Sequence, residues 1–244
     1  MKEDFPRIKP MGERAILIEF EPEISENLLE KILFYKKEIE KYYSEVKIEV
    51  TNTYNSLLIN YIVNIEDVYG EVLVIEKLIK GANVVKNFEA KLYRLPVCYS
   101  AKFGVDLQLI SDEKNMEISE IIRLHSTVVY PVYFIGFLPG FLYLGDLDKK
   151  LHFPRKNEPR MKIEKGAVGI GENQTGIYPK SSPGGWQIIG NCPVPVFDKN
   201  KLPPCEISAG DKVKFYPVSE EEFEKISEEV SKGEFELKAE KYVG

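Results

Sequence analysis

Between Tyr133 and Pro195 the chain carries five Gly-Pro-aromatic turns in close succession: GFLPGFLYL (136–144), PRKNEPR (154–160), GAVGIG (166–171), QTGIYP (174–179) and SPGGWQIIG (182–190). Proline cannot donate to a strand ladder and glycine gives a strand nothing to pack, so this density excludes long helices and packed central strands. What remains is a series of short strands joined by tight turns. A plain surface loop has no need of so many, which makes the segment the first place to look for a site.

The flanking sequence sets the domain plan. Residues 15–20 (AILIEF) suit a strand, and Ile24, Leu28, Ile32, Tyr35, Ile39 and Tyr42 recur at helical spacing after it. Strand patterns follow at 46–50 and 56–62, a second amphipathic helix runs through Val68, Val72, Ile75 and Ile79 to Gly81, and 88–99 reads as a last strand. The order strand, helix, strand, strand, helix, strand is the split β-α-β plan of ferredoxin-like domains. Beyond Pro96, short apolar runs separated by turns predict a β-barrel or sandwich. One helix interrupts it, with Ile118, Ile121, Ile122, His125 and Val129 on one face. The acidic stretch from Ser219 reads as a solvated helix. The expected fold class is α+β, with units at 1–93, 94–218 and 219–244.

Composition narrows the function. The 244 residues carry a net charge of −6, which offers no basic surface for nucleic acid or an anionic membrane. No apolar run approaches a membrane span and the start has no signal-like core, so the expected location is cytoplasmic. Cys98, Cys192 and Cys205 lack CxxC spacing and only His125 and His152 are present, so no metal site is predicted. A Walker-type phosphate loop, a GxSxG elbow and an HExxH pair are absent; GIGENQTG has the glycines of a phosphate loop without its lysine.

Several residues could carry chemistry. Pro154-Arg155 and Pro159-Arg160 present two guanidinium groups from stiffened backbone, suited to a carboxylate or phosphate. Their plain alternative is a surface ion pair with Asp146, Asp148 or Glu158. Gln174, Thr175, Tyr178, Ser181, Ser182, Trp186 and Gln187 offer neutral hydrogen-bonding groups and aromatic walls for a small amide or ring substrate. Equally, Tyr178 and Trp186 could fill a core while the glycines make hairpins. His125 is the available imidazole base, or a buried histidine satisfied by backbone.

Taken together, PVCY (96–99), FGVDL (103–107), IIRLHS (121–126), IGFLPGFLYL (135–144), the paired PR, QTGIYP, SPGGWQIIG and AGDKVKFYPV (209–218) resemble the 5-oxoprolinase B-subunit family. That family also holds a sporulation-kinase inhibitor of bacilli and allophanate hydrolase subunit 1, and is related to a carboxyltransferase domain of urea carboxylase. GERAILIEF (12–20) and YNSLLINY (54–61) extend the resemblance to nearly the whole chain. It departs at Ser100, at Ile163-Glu164-Lys165 and at Asn191-Cys192, the last replacing an Arg-Thr pair.

The resemblance implies a ferredoxin-like domain followed by a cyclophilin-like barrel. It also implies an ATP-dependent hydrolysis of 5-oxo-L-proline to L-glutamate in company with subunits A and C. ATP would be bound with a partner subunit, with a divalent metal such as Mg that no motif here ligates. Arg155 and Arg160 would hold a carboxylate or phosphoryl group, Gln174, Thr175 and Tyr178 would orient the lactam ring, and His125 would serve as base. Inhibition of a histidine kinase, or a urea or allophanate reaction, are the alternatives the resemblance leaves open.

Overall fold

The computed structural model describes residues 5–82 and 89–242. Two compact units divide the chain, Met1–Phe88 and Glu89–Gly244.

The first unit contains β1 (Arg7–Pro10), β2 (Ala15–Glu19), α1 (Glu26–Tyr42), β3 (Ile48–Asn52), β4 (Ser56–Tyr61) and α2 (Val68–Gly81). Ser25 caps α1 by accepting the Leu28 amide hydrogen, and Asp67 does the same for α2 through Gly70. Alternation turns Ile16 and Ile18 of β2 and Leu57 and Ile59 of β4 to the same core as Ile32, Ile39 and Ile75 of the helices. The sheet runs β1-β2-β4-β3 with every neighbour antiparallel. Because β4 separates β2 from β3, those two are parallel and α1 crosses between them, as the sequence pattern predicts.

The fourth position differs from the ferredoxin-like expectation. A strand after α2 should complete this sheet, but its edge is taken by β1, which forms a hairpin with β2. The strand expected at 88–99 is β5 (Lys91–Cys98), and it belongs to the second unit; Phe88 lies outside the described residues. A division at 93/94 would cut β5 in two, although β5 pairs continuously with β13 (Lys212–Val218), from Leu92 to Cys98.

The second unit continues with α3 (Leu107–Lys114), α4 (Ile118–Thr127), β6 (Val129–Ile135), β7 (Leu142–Leu144), a 3-10 turn at Lys149–Leu151, β8 (Arg160–Ile163) and β9 (Ala167–Gly171). Next come β10 (Gln174–Ile177), β11 (Ser182–Gly184), β12 (Gln187–Asn191), β13, α5 (Glu220–Lys232) and β14 (Ala239–Lys241). Seven strands in the order β12-β9-β10-β7-β6-β13-β5 close into a barrel when Asn191 of β12 meets Cys98 of β5. Closure leaves no free ladder among these strands, which is how so many short strands hold together. Leu95, Val132, Leu144, Ile170, Ile177, Val213 and Phe215 fill the interior with Ile121 and Leu124 of α4.

The acidic stretch does not form a separate tail. Ser219 and Glu222 make a reciprocal capping box at the start of α5, and Ile226 and Val230 lie against the barrel core. The chain then returns as β14 to pair with β5.

Candidate functional site

The Gly-rich turns build an outer layer on one face of the barrel. Gly169 and Gly171 lie two apart on β9, and Gly176 of β10 is the cross-strand partner of Gly169. A Cβ on Gly171 would stand 2.5 Å from Trp186 Nε1, one on Gly176 3.1 Å from the same ring, and one on Gly169 3.2 Å from Trp186 Cβ. The three glycines therefore form a flat floor for one indole, and this need explains their spacing better than approach by a ligand. The GIGENQTG stretch is thus no phosphate cradle, since the place where a phosphate would meet Gly171 is filled by Trp186. Gly171→Ala is expected to cost about 1–3 kcal/mol of unfolding free energy, read from urea denaturation; a cost near zero would show that the indole has room to shift.

Around Trp186 the rings of Phe141 and Tyr178 pack edge to face, at 5.3 and 6.5 Å between centroids. Tyr143 adds a third ring at 6.1 Å. Burial pushes the Tyr178 hydroxyl up to about 12, so it stays protonated at neutral pH. Phe137, at φ 62 in the GFLPG turn, presents its ring outward at 62% exposure against the edge of Phe141. A bulky residue in the left-handed region is strained, and such strain gathers at working surfaces.

The PRKNEPR loop lies over this layer. The Arg155 guanidinium stands 5.8 Å above the Trp186 ring, is exposed, and forms no ion pair among the described residues. Arg160 is engaged: its two terminal nitrogens donate to the two oxygens of Asp106 at 2.8 and 2.6 Å. Lys156 Nζ reaches the same carboxylate at 3.2 Å. Among the described residues, the partner of Arg160 is Asp106 rather than the expected Asp148 or Glu158. Asp106 is 3% exposed. Burial alone would raise its carboxyl, but hydrogen bonds from Arg160 and the Ile188 amide, with the nearby cations, hold it below the usual range.

The other predicted residues separate by strand alternation. Along β10 and Tyr178, the residue after it, Gln174, Gly176 and Tyr178 face the outer layer, whereas Thr175 and Ile177 face the barrel interior. Gln174 Oε1 has no hydrogen-bond partner among the described residues. Ser182 bonds only the carbonyl of its neighbour Pro183.

His125 and Thr175 are corrections. Both are fully buried, and His125 Nδ1 and Nε2 lie 2.7 Å from the Tyr99 hydroxyl and 2.8 Å from Thr175 Oγ1. Thr175 spends its proton on the Gly169 carbonyl, so it accepts from Nε2–H and the Tyr99 hydroxyl donates to Nδ1. The ring stacks on Phe215 at 4.8 Å, and burial lowers its pKa to about 3. Such an imidazole is a neutral core group with both nitrogens occupied. It has no free lone pair to act as base, and Thr175 does not face a ligand.

The sequence pattern gave no sign of Asp106 or Lys156, and Gln187, expected to face a substrate, instead donates to the Pro154 carbonyl. Asp106 occupies the cap position before α3, where an Asp normally bonds its own helix, yet it makes no such bond because its oxygens serve Arg160 and Ile188. Nothing local signals that diversion. A cavity of about 190 Å³ reaches Tyr178 from elsewhere in the unit, lined also by Cys192, Val194 and Phe223, but Arg155 and Trp186 are not part of it. Arg155 itself is exposed, whereas Trp186 beneath it is 5% exposed.

Comparison with known proteins places this surface in context. A family model described as carboxyltransferase domain, subdomain C and D, matches residues 6–207. The B subunit of the 5-oxoprolinase of Bacillus subtilis (strain 168) is 34% identical over 238 residues, 91% of this chain and 97% of that protein. A crystal structure of a conserved uncharacterized protein from Pyrococcus horikoshii is 39% identical with a TM-score of 0.53, covering 89% of this chain and 100% of that one. The structure of Kluyveromyces lactis urea carboxylase superposes with a TM-score of 0.79 at 22% identity, over 96% of this chain and 24% of that one, a likeness of fold.

Proposed function

This chain belongs to the family of the carboxyltransferase domain, subdomain C and D, and from that membership we propose that it is one subunit of an ATP-dependent lactam hydrolase. The reaction is the opening of 5-oxo-L-proline to L-glutamate, carried out together with companion subunits A and C. The observation that carries the assignment is the exposed Arg155 guanidinium, unpaired among the described residues, over the buried Trp186 ring, with the exposed Phe137 ring at the edge of the same aromatic layer. A guanidinium matches a carboxylate geometrically, and an aromatic wall beside it suits a small flat ring. 5-Oxoproline has both features.

A lactam carbonyl is a poor electrophile, and ATP supplies the activation by phosphorylating its oxygen when the complete enzyme is assembled. The glycines of GIGENQTG do not form a nucleotide cradle, because Trp186 covers them. Nucleotide binding is therefore assigned to a companion chain. Arg155 holds the carboxylate, Tyr143 and Phe137 flank the ring, and Gln174 stands on the same face. A ligand held by an exposed arginine of this kind lies in a dry site only when another surface covers it.

The test is reconstitution. The isolated chain is expected neither to hydrolyse ATP nor to open 5-oxoproline, with turnover appearing only on mixing with subunits A and C, and amide exchange should slow over residues 136–190 in the mixture. Full turnover by the lone chain would refute the shared site. No turnover in the mixture, together with tight inhibition of a histidine kinase, would replace this reading by a regulatory one.

A further inference from the structure

The loop 154–160 carries three cations, and one buried carboxylate accounts for two of them. Asp106 accepts both terminal nitrogens of Arg160 and the ammonium of Lys156. It also accepts the Ile188 amide at 2.6 Å, while its own amide donates to the Ile188 carbonyl at 2.9 Å. That two-way link joins the start of α3 to β12, the strand that follows Trp186. The loop is tied to the same stretch at two further points. Lys156 N–H donates to the Gly185 carbonyl at 2.7 Å, and Gln187 Nε2 donates to the Pro154 carbonyl at 3.0 Å.

Arg155 is therefore bracketed. The residues on either side of it are bonded to the segment that carries Trp186, and the remaining cations of its loop are drawn inward to Asp106. A flexible side chain on a free loop would sample many positions; one whose flanking backbone is fixed on both sides loses far less freedom when it binds. Lys156 and Arg160, left without Asp106, would also repel the guanidinium they adjoin.

We propose that Asp106 is a positioning residue for Arg155: it clamps the 154–160 loop to β12 so that the Arg155 guanidinium stands over Trp186, ready for a single carboxylate. The consequence for catalysis rests on the 5-oxoprolinase reading above, but the clamp itself does not. Trp186 is the single tryptophan of the chain, so its fluorescence reports on this place alone.

Asp106→Asn keeps the side-chain shape and removes the charge. In the full chain it is expected to raise acrylamide quenching of Trp186 about twofold, as the loop opens. In the reconstituted enzyme it should raise the KM for 5-oxoproline roughly tenfold with kcat little changed, since the lost interaction is one of binding. The double variant Asp106→Asn/Arg155→Ala should be no worse than Arg155→Ala alone, because both remove the same contact. Effects that multiply, or unchanged quenching in a folded variant, would overturn the proposal. If Asp106→Asn does not fold, Lys156→Met loosens the same clamp without stranding Arg160 and must shift quenching and KM in the same direction. Should the wild-type mixture show no turnover, the functional reading fails, and the quenching arm still decides the clamp.

Discussion

Arg155→Ala should lower kcat/KM of the reconstituted enzyme by about 30- to 1,000-fold while leaving the unfolding free energy nearly unchanged, the loss of a charge-assisted anion contact in a dry site being worth about 2–4 kcal/mol. The stability half of the result follows from the geometry. The side chain is exposed, has no ion pair among the described residues and contributes only its place over Trp186. Arg160→Ala is expected to differ: its chief loss is stability, with only the roughly tenfold rise in KM that loosening the Asp106 clamp brings. It strips the bidentate partner from a buried carboxylate, and breaking a buried pair costs about 3–5 kcal/mol of stability. Lys156 remains as a weaker partner, which moderates that loss. Steady-state kinetics on the complex and urea denaturation of the isolated chain measure the two quantities. Equal kinetic and stability effects in both variants would remove the distinction drawn here between a free and an engaged arginine.

The second large effect concerns pH. His125 is neutral in the folded protein down to about pH 3, against 6.5 for an exposed histidine, because burial opposes the charged form. Below 6.5 the unfolded chain takes up a proton that the folded chain refuses. Stability contributed by the neutral ring is therefore complete above 6.5 and falls as the pH drops toward 3. At roughly 1.4 kcal/mol per pH unit, the loss between pH 6.5 and pH 4 is about 3 kcal/mol. His125→Gln retains a donor and an acceptor for Thr175 and Tyr99 without the titration. Carboxylates protonate alike in both proteins, so the difference in stability between them isolates the histidine. That difference should swing by about 3 kcal/mol in favour of the variant as the pH falls. A difference independent of pH would mean that water reaches the ring.

Much of the architecture was legible in the chain. Helical spacing located α1 and α2, alternation located β2 and β4, and the cluster of turns located the barrel, because these patterns follow from local backbone geometry and the need to bury one face. The fourth strand of the first sheet was not legible. Arg7–Pro10 and Lys91–Cys98 are both plausible edge partners for β2, and the choice was made by β13, which pairs with β5 along its length. Pairing between distant strands leaves no mark in either strand taken alone.

The site divides along the same line. The sequence by itself determined the family motifs, the Gly-Pro-aromatic density and the presence of two Pro-stiffened arginines, since each is a property of neighbouring residues. Only the tertiary structure decided that Trp186 occupies the glycine floor, that Thr175 faces inward and bonds the His125 ring together with Tyr99, and that Arg155 rather than Arg160 has no ion pair among the described residues. Each of those outcomes depends on a group far away in the chain: Gly171 and Gly176 beneath the indole, Tyr99 beside the imidazole, Asp106 beneath the guanidinium. Two arginines in identical Pro-Arg settings are chemically alike in sequence, and a single carboxylate brought up by the start of α3 makes one a structural ion pair and leaves the other exposed, with no ion pair among the described residues.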